Sequence, residues 1–443
     1  MTPPAEPRDD GLARLLRELL VLQPGEGVGL FTSFATLLCM FTGYAILRPV
    51  RDAMGITSGL ENLPAMFGAT FVVMLALQPV YGWLTSRFPR SVFLPWVYGF
   101  FAANLLAFWL WFHLEADHTW IARTYFVWVS VFNLFVVAVF WSLMADVFTR
   151  EQAGRMFGFI AAGASTGGLL GPLIDRELAV PLGTVNLLPI SAALLLLSLF
   201  FMTRVIRWQR AQAAVRGGEE RTDAERALGG SMWAAFQDVV RSPYLSGIAV
   251  FVLLVTWVST FLYLEQQAYV AKAFTTSGER TRFFATVDFW VQAAALFTQL
   301  FVFGRLFKWV GLTVMLASVP LIMTAGYALF ALAPSFMVLV VVFGVRRVGE
   351  YAISRPCRDS LYTVVTREEK YKAKSLIDTF VYRGGDWTSA VLYKALSSGL
   401  GVGPAGIGWI GALISVLWTV LAIGLGRAAV RGRPVTARTA ETA

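Results

Sequence analysis

Twelve apolar stretches, short motifs that occur twice, and arginines and carboxylates set inside those stretches predict an all-α polytopic membrane protein of two six-helix halves. The composition agrees. With 57% hydrophobic and 15% charged residues and a mean hydropathy of +0.63, the chain is solvated mostly by lipid. A spanning helix needs roughly 20 mostly apolar residues, and a charge at bilayer depth costs at least about 2.5 to 3.5 kcal/mol. Charges kept at that depth therefore face one another, water or a cargo.

In order, the stretches are Val28 to Leu47, Leu63 to Leu84, Val92 to Leu114, Ile121 to Phe148, Met156 to Leu173 and Leu187 to Val205, then Tyr244 to Tyr269, Phe283 to Leu306, Val310 to Leu332, Phe336 to Val365, Ser375 to Leu396 and Ile407 to Leu425. The first begins too late, behind too polar a leader, to be a cleaved signal peptide, and reads as a spanning helix. Residues 1–27 form a leader in which Leu12, Leu15, Leu16 and Leu19 make an interfacial stripe. Residues 28–206 are the first half, 207–242 a linker, 243–426 the second half and 427–443 a tail. The linker holds Arg216-Gly217-Gly218-Glu219-Glu220-Arg221, a charged glycine-bearing run suited to a flexible connection. Trp233, Phe236 and Val240 then recur at helical spacing, which predicts a short helix on the membrane surface.

The net charge of +9 sits in the leader (Arg8, Arg14, Arg17), around Arg87 and Arg90, around Arg150 and Arg155, between Arg204 and Arg241, at Lys370, Lys372 and Lys374, and in the tail from Arg427. If the stretches alternate across the membrane, all of these lie on one side. The pattern is one of topology, not of nucleic-acid binding, and puts both termini and the linker on the cytoplasmic face of the cell or inner membrane. Cys39 and Cys357 are far apart and build neither a disulfide framework nor a metal cluster. His113 and His118 flank one short loop and read as rim residues. No cofactor, metal constellation or nucleophile-and-base pair is present, so an enzyme is not expected.

The halves carry copies of the same signals. Thr149-Arg150-Glu151 returns as Thr366-Arg367-Glu368, and Gly167-Gly168 returns with the same shift as Gly384-Gly385. Gly82-Trp83-Leu84 is answered by Gly304-Arg305-Leu306. Two six-helix halves in parallel repeat resemble the major facilitator superfamily, which binds substrate between its halves near the midplane. Residues 82–90 resemble that superfamily's Gly-x-Leu-x-Asp-Arg-x-Gly-Arg signature, with Ser86 at the aspartate position and Pro89 at the second glycine.

A narrower resemblance follows from the charged segments. Tyr44-Ala45-Ile46-Leu47-Arg48-Pro49-Val50-Arg51-Asp52, at the end of the first stretch, resembles the Leu-Arg-x-x-Lys-Asp stretch of the nucleotide translocases, the ATP/ADP antiporters of plastids and intracellular bacteria. The aromatic-rich run from Phe140-Trp141 to Arg155 fits as well. Tyr351, Pro356-Cys357-Arg358-Asp359, Tyr362 and Lys372-Ala373-Lys374-Ser375-Leu376-Ile377-Asp378 continue the likeness. It implies that Arg51 stands for the family lysine, Glu265 for the glutamate of the seventh stretch, and Arg383 for the cation of the eleventh. It also implies a small anionic cargo, a nucleotide first. The chain departs from the family at Val129-Ser130-Val131-Phe132, where an acid is missing, at Tyr382-Arg383-Gly384-Gly385-Asp386, and at Arg355, where the family often has an acid.

Residue chemistry leads to the same stretches. Arg346 and Glu350 are four apart, as are Arg355 and Asp359, so each pair can bridge on one helix face. Arg347, Tyr351 and Arg355 form a stripe beside Glu350, Ser354 and Arg358, and Asp378, Tyr382 and Asp386 form another. Guanidinium groups suit an anionic cargo because they bind phosphate or carboxylate oxygens in pairs and stay charged when dehydrated. The alternative is mutual neutralisation in salt bridges. The expected cargo-binding residues are Arg48, Arg51, Glu265, Tyr351, Arg358 and Arg383, with Glu350, Asp359, Asp378 and Asp386 as coupling or gating groups. Glu265 is open between cargo contact, proton or ion coupling, and a bridge to an arginine. Asp288 and Gln292 are a minor polar contact, and Gly163, Gly167, Gly168 and Gly171 are a helix-packing face. The expected function is a monomeric, lipid-embedded secondary carrier of an organic anion. The alternatives are a proton-coupled carrier of another metabolite, drug or amphipathic lipid, and a transport-inactive sensor or assembly factor.

Overall fold

The computed structural model describes residue 23 and residues 25–87, 90–215 and 232–432. The leader stripe, the glycine-bearing linker run and the tail beyond residue 432 lie outside the described residues. The first half comprises α1 (Gly27–Thr57), α2 (Leu63–Arg87), α3 (Arg90–Leu114), α4 (Thr119–Val147), α5 (Arg150–Leu178) and α6 (Leu187–Val215). A short amphipathic α7 (Met232–Arg241), at the place expected for a surface helix, leads to α8 (Pro243–Ala273), α9 (Ser277–Phe297) and α10 (Gly304–Leu332). Next come α11 (Phe336–Gly349), α12 (Arg355–Leu361), α13 (Arg367–Leu376), α14 (Tyr382–Lys394) and α15 (Pro404–Val430).

Nine helical stretches among the described residues are long and apolar enough to cross a membrane. One of them, Ser277–Leu332, is 56 residues long, and the left-handed backbone of Gly311 (φ 73°) breaks it near the expected boundary. The tenth and eleventh expected stretches are absent from the nine. Wide turns with π-helical bonding interrupt them at Glu350–Ser354 and Ile377–Val381, and their charges lower their hydropathy. Large apolar side chains such as Trp309 (81% exposed) and Trp96 (77%) face outward, as lipid contact requires.

Helix starts explain the repeated Thr-Arg-Glu motif. Thr149 accepts a hydrogen bond from the backbone of Gln152, whose side chain reaches back to Thr149, and Thr366 forms the same reciprocal cap with Glu369. Each copy opens a helix of its half. One hydrophobic core runs from Leu30 to Ile206 and a second from Val239 to Ala429.

The fifth-helix glycines are a packing face. A Cβ on Gly163 would lie 2.7 Å from the carbonyl oxygen of Phe34, one on Gly167 2.7 Å from that of Leu38, and one on Gly171 2.7 Å from that of Thr42. The four-residue spacing on both helices sets α1 and α5 backbone to backbone. Where α1 begins, Glu26 accepts from Gln152 at 2.9 Å and from Arg155 at 3.1 Å. Burial works against its charge, but these bonds hold the Glu26 carboxyl below the usual carboxylate range.

Described contacts between the two cores gather at the end of the bundle away from the basic loops. Leu63, Met66 and Phe126 pack with Leu264 and Ala390, and Ala53 and Ile56 pack with Val270 and Phe284. Thr184 meets Thr281 at 3.1 Å, and Lys394 donates to the carbonyl of Glu61 at 3.0 Å.

Candidate functional site

The first helix is longer than its apolar stretch and continues through Pro49 to Thr57. Arg48 therefore stands nine residues inside its end, or roughly 14 Å at 1.5 Å per residue. Pro49 lies inside α1, which is held on several sides by α4, α5, α6 and α9. Arg48 Nη2 lies 3.8 Å from Asp288 Oδ2 on α9, and Arg347 Nη1 of α11 bonds directly to Asp288 Oδ1. Asp288 thus joins one arginine from each half. It was expected to be a minor contact; instead it is the hub.

A second centre lies toward the contact end. Arg51 pairs with Asp52 at 3.0 Å and sits over the ring of Phe126 at 4.7 Å. Tyr263 of α8 donates to the same Asp52 oxygen at 3.0 Å, linking the halves again. A third centre joins Arg383 to Asp386 at 3.5 Å, with Thr260 donating to Asp386 at 3.4 Å. Asp386 also lies within electrostatic reach of Arg51 and Arg346, and Tyr351 within reach of Arg48, Arg347 and Asp288. Of the expected cargo residues, Arg48, Arg51, Tyr351 and Arg383 thus face one interior.

The expected bridges on the tenth stretch do not form. Both pairs keep helical spacing, since the Glu350 N–H bonds to the Arg346 carbonyl and α12 carries Arg355 and Asp359 together, but the carboxylates turn to other cations. Glu350 faces Arg358 instead at 3.9 Å, and Arg358 also reaches Asp378 at 3.6 Å. Asp359 pairs with Lys374 at 2.8 Å, in the half-exposed region after the turn, while Arg355 is exposed. Glu265 is buried, and its partner is the hydroxyl of Tyr393 at 3.0 Å, not an arginine.

Two functional candidates escape the sequence reading. Arg346 is 9% exposed, has no carboxylate within 4.0 Å among the described residues, and leaves its Nε without a partner. It had been assigned to a bridge with Glu350. Asp175 is fully buried with both oxygens unpartnered among the described residues. It falls two residues beyond the expected end of the fifth stretch, whereas α5 runs on to Leu178. A reading of that stretch beyond Leu173 to Leu178 would have placed this carboxyl inside the bundle.

Two helical cores meeting along α1, α2, α9 and α14, with paired charges in the seam, define a secondary transporter of the multi-pass membrane type. Residues 29–354 match the profile of the Major Facilitator Superfamily, and the chain belongs to that superfamily. Similar solved structures include an auto-inhibited peptide transporter of the POT family (15% identity, 91% of this chain and 97% of that one, TM-score 0.61). A mutant of the nucleoside transporter NupG is similar at 12% identity over 92% and 100% of the two chains (TM-score 0.57). A bacterial homolog of the human lysosomal transporter Spinster, inward-facing and unoccupied, is similar at 12% identity over 93% and 99% (TM-score 0.56). At such identities the likeness is one of fold. No curated protein matches the sequence significantly.

Proposed function

We propose that the chain carries an organic anion across the cell or inner membrane, with a nucleotide such as ATP or ADP as the leading cargo. The observation that carries this reading is Arg346, a buried guanidinium with no carboxylate partner among the described residues. Asp386 lies within its electrostatic reach but is already paired with Arg383; an incompletely neutralised buried charge is costly, and an anionic cargo supplies further counter-charge. In the same interior Arg48, Arg51 and Arg383 offer donors for phosphate or carboxylate oxygens, while Tyr351 and Tyr382 offer planar faces. The nucleotide assignment rests on the motif likeness of residues 44–52 and 351–378. Residues 28–206 and 243–426 act as two rigid halves that rock about this interior. With the basic loops in the cytoplasm, contacts at the opposite end correspond to a carrier open to the cytoplasm. The nucleotide is cargo, and no hydrolysis is involved.

The test is a thermal-shift screen of the purified protein against nucleotides, sugar phosphates, carboxylates and neutral amphiphiles, followed by counterflow in proteoliposomes. A bound cargo at a hundredfold its Kd stabilises the fold by about 2.7 kcal/mol. Stabilisation and counterflow by neutral amphiphiles alone would overturn the anion assignment.

A further inference from the structure

Asp175 takes no part in the ion pairs of the central seam. It lies three residues before the end of α5, is fully buried, and has no hydrogen-bond partner on either carboxyl oxygen among the described residues. The surrounding elements do not neutralise it. From α4, the Tyr125 hydroxyl lies within electrostatic reach but is directed to the carbonyl of Leu47 at 3.5 Å. From α9, Asp288 presents a like charge, and Arg280 donates to the carbonyl of Phe274. On α1, Arg48 is turned to Asp288 and Arg51 to Asp52. The adjacent Arg176 pairs with Glu177 at 2.8 Å.

An ionised carboxylate in that position bears a desolvation cost of several kcal/mol with no counter-ion, and repels Asp288 as well. One bound proton removes both penalties. We propose that Asp175 is a proton-binding site, occupied while its end of the bundle is closed, and that this proton is the ion to which transport is coupled. When the end opens, the O–H bond breaks and the proton passes to water, leaving a carboxylate on α5. That carboxylate competes with Asp288 for Arg48, whose 3.8 Å contact is the looser of the two on Asp288. The seam then stays apart until a proton returns. The site stands independently of the anion assignment, and its test needs no cargo.

The full-length protein in liposomes is titrated with pH while infrared difference spectra are recorded. The wild type shows the C=O band of a protonated carboxyl that disappears on alkalisation, and Asp175→Asn lacks that band. A second measurement follows the closed end directly, through disulfide formation in a Thr184→Cys/Thr281→Cys pair, whose native hydroxyls lie 3.1 Å apart. Relative to the same pair carrying Asp175→Asn, which shares the thiol chemistry, cross-linking falls several-fold as pH rises. A carboxyl band that persists in Asp175→Asn, or identical pH dependence of cross-linking in both backgrounds, overturns the proposal. Should Asp175→Asn not fold, wild-type protein is treated with dicyclohexylcarbodiimide, which adds to protonated carboxyls in apolar surroundings. Asp175 is labelled at acid pH and progressively less as pH rises; no labelling at any pH equally overturns it.

Discussion

Arg48 and Asp288 meet across the seam at 3.8 Å, while Arg347 bonds the other oxygen of the same carboxylate. One buried carboxylate therefore neutralises guanidinium groups from both halves, unequally. Asp288→Asn strands both, and removing one partner of a buried pair costs about 3 to 5 kcal/mol. The expected result is a lower melting temperature of the purified protein. Adding Arg347→Gln should recover most of the loss, whereas adding Arg48→Gln should recover less, because Arg48 is further from Asp288 and its side chain is 23% exposed.

The hydroxyl of Tyr263 holds Asp52 from the opposite half at 3.0 Å. Tyr263→Phe removes that bond and keeps the ring, whose edge contact with Phe67 has a centroid distance of 5.8 Å. A lost hydrogen bond of about 1 kcal/mol lowers the ratio of closed to open forms about fivefold. Cross-linking of a cysteine pair at positions 184 and 281 should fall accordingly. Unchanged cross-linking would show that the bond does not bias the conformational equilibrium.

Close approach of α1 and α5 gives a stability prediction with an internal control. A Cβ at Gly167 would stand 2.7 Å from the Leu38 carbonyl oxygen and 2.8 Å from the Thr42 nitrogen, whereas one at Gly158 meets nothing within 4 Å. Backbone cannot yield as a flexible side chain can. Gly167→Ala should therefore destabilise the purified protein by about 1 to 3 kcal/mol, the usual range for overpacking. Gly158→Ala should leave thermal unfolding unchanged or slightly raise it, since alanine is the better helix former.

The all-helical membrane class and the repeated Thr-Arg-Glu triplet were legible because they depend on local properties: apolar length and a short motif that returns at a fixed shift. The break between the eighth and ninth stretches was visible as a fall in hydropathy, and Gly311, inside α10, supplies it. The pairing of charges was not legible. Regular helical spacing pairs Arg346 with Glu350 and Arg355 with Asp359, but Glu350 turns to Arg358 and Asp359 to Lys374. The partners of Asp288 come from helices far apart in the chain, and no local pattern encodes that meeting. Asp175 was missed for a simpler reason: a charged triplet from Asp175 to Glu177 looks like the end of a hydrophobic stretch, and only tertiary burial separates the first residue from the other two.

Arg346 and Arg347 are neighbours in sequence with opposite electrostatic situations, and the contrast separates cargo binding from structure. Arg347 is neutralised by Asp288, so Arg347→Gln leaves a buried carboxylate with only the looser Arg48 contact and should lower the melting temperature of the empty protein. Arg346 has no carboxylate within 4.0 Å among the described residues, and its cation rests against the ring of Phe343 at 5.8 Å. Replacing it by Gln removes a buried charge that only the more distant Asp386, itself paired with Arg383, partly compensates, so the empty protein should melt at the same or a higher temperature. In the presence of ATP or ADP the order reverses. The stabilisation by nucleotide seen in the wild type should shrink by about 1.5 to 3 kcal/mol in Arg346→Gln, the scale of a lost hydrogen bond to a charged group. The measurement is melting temperature with and without nucleotide for both variants. A large loss of stability in empty Arg346→Gln, with the nucleotide response intact, would assign Arg346 to the fold and remove the observation on which the anion reading rests.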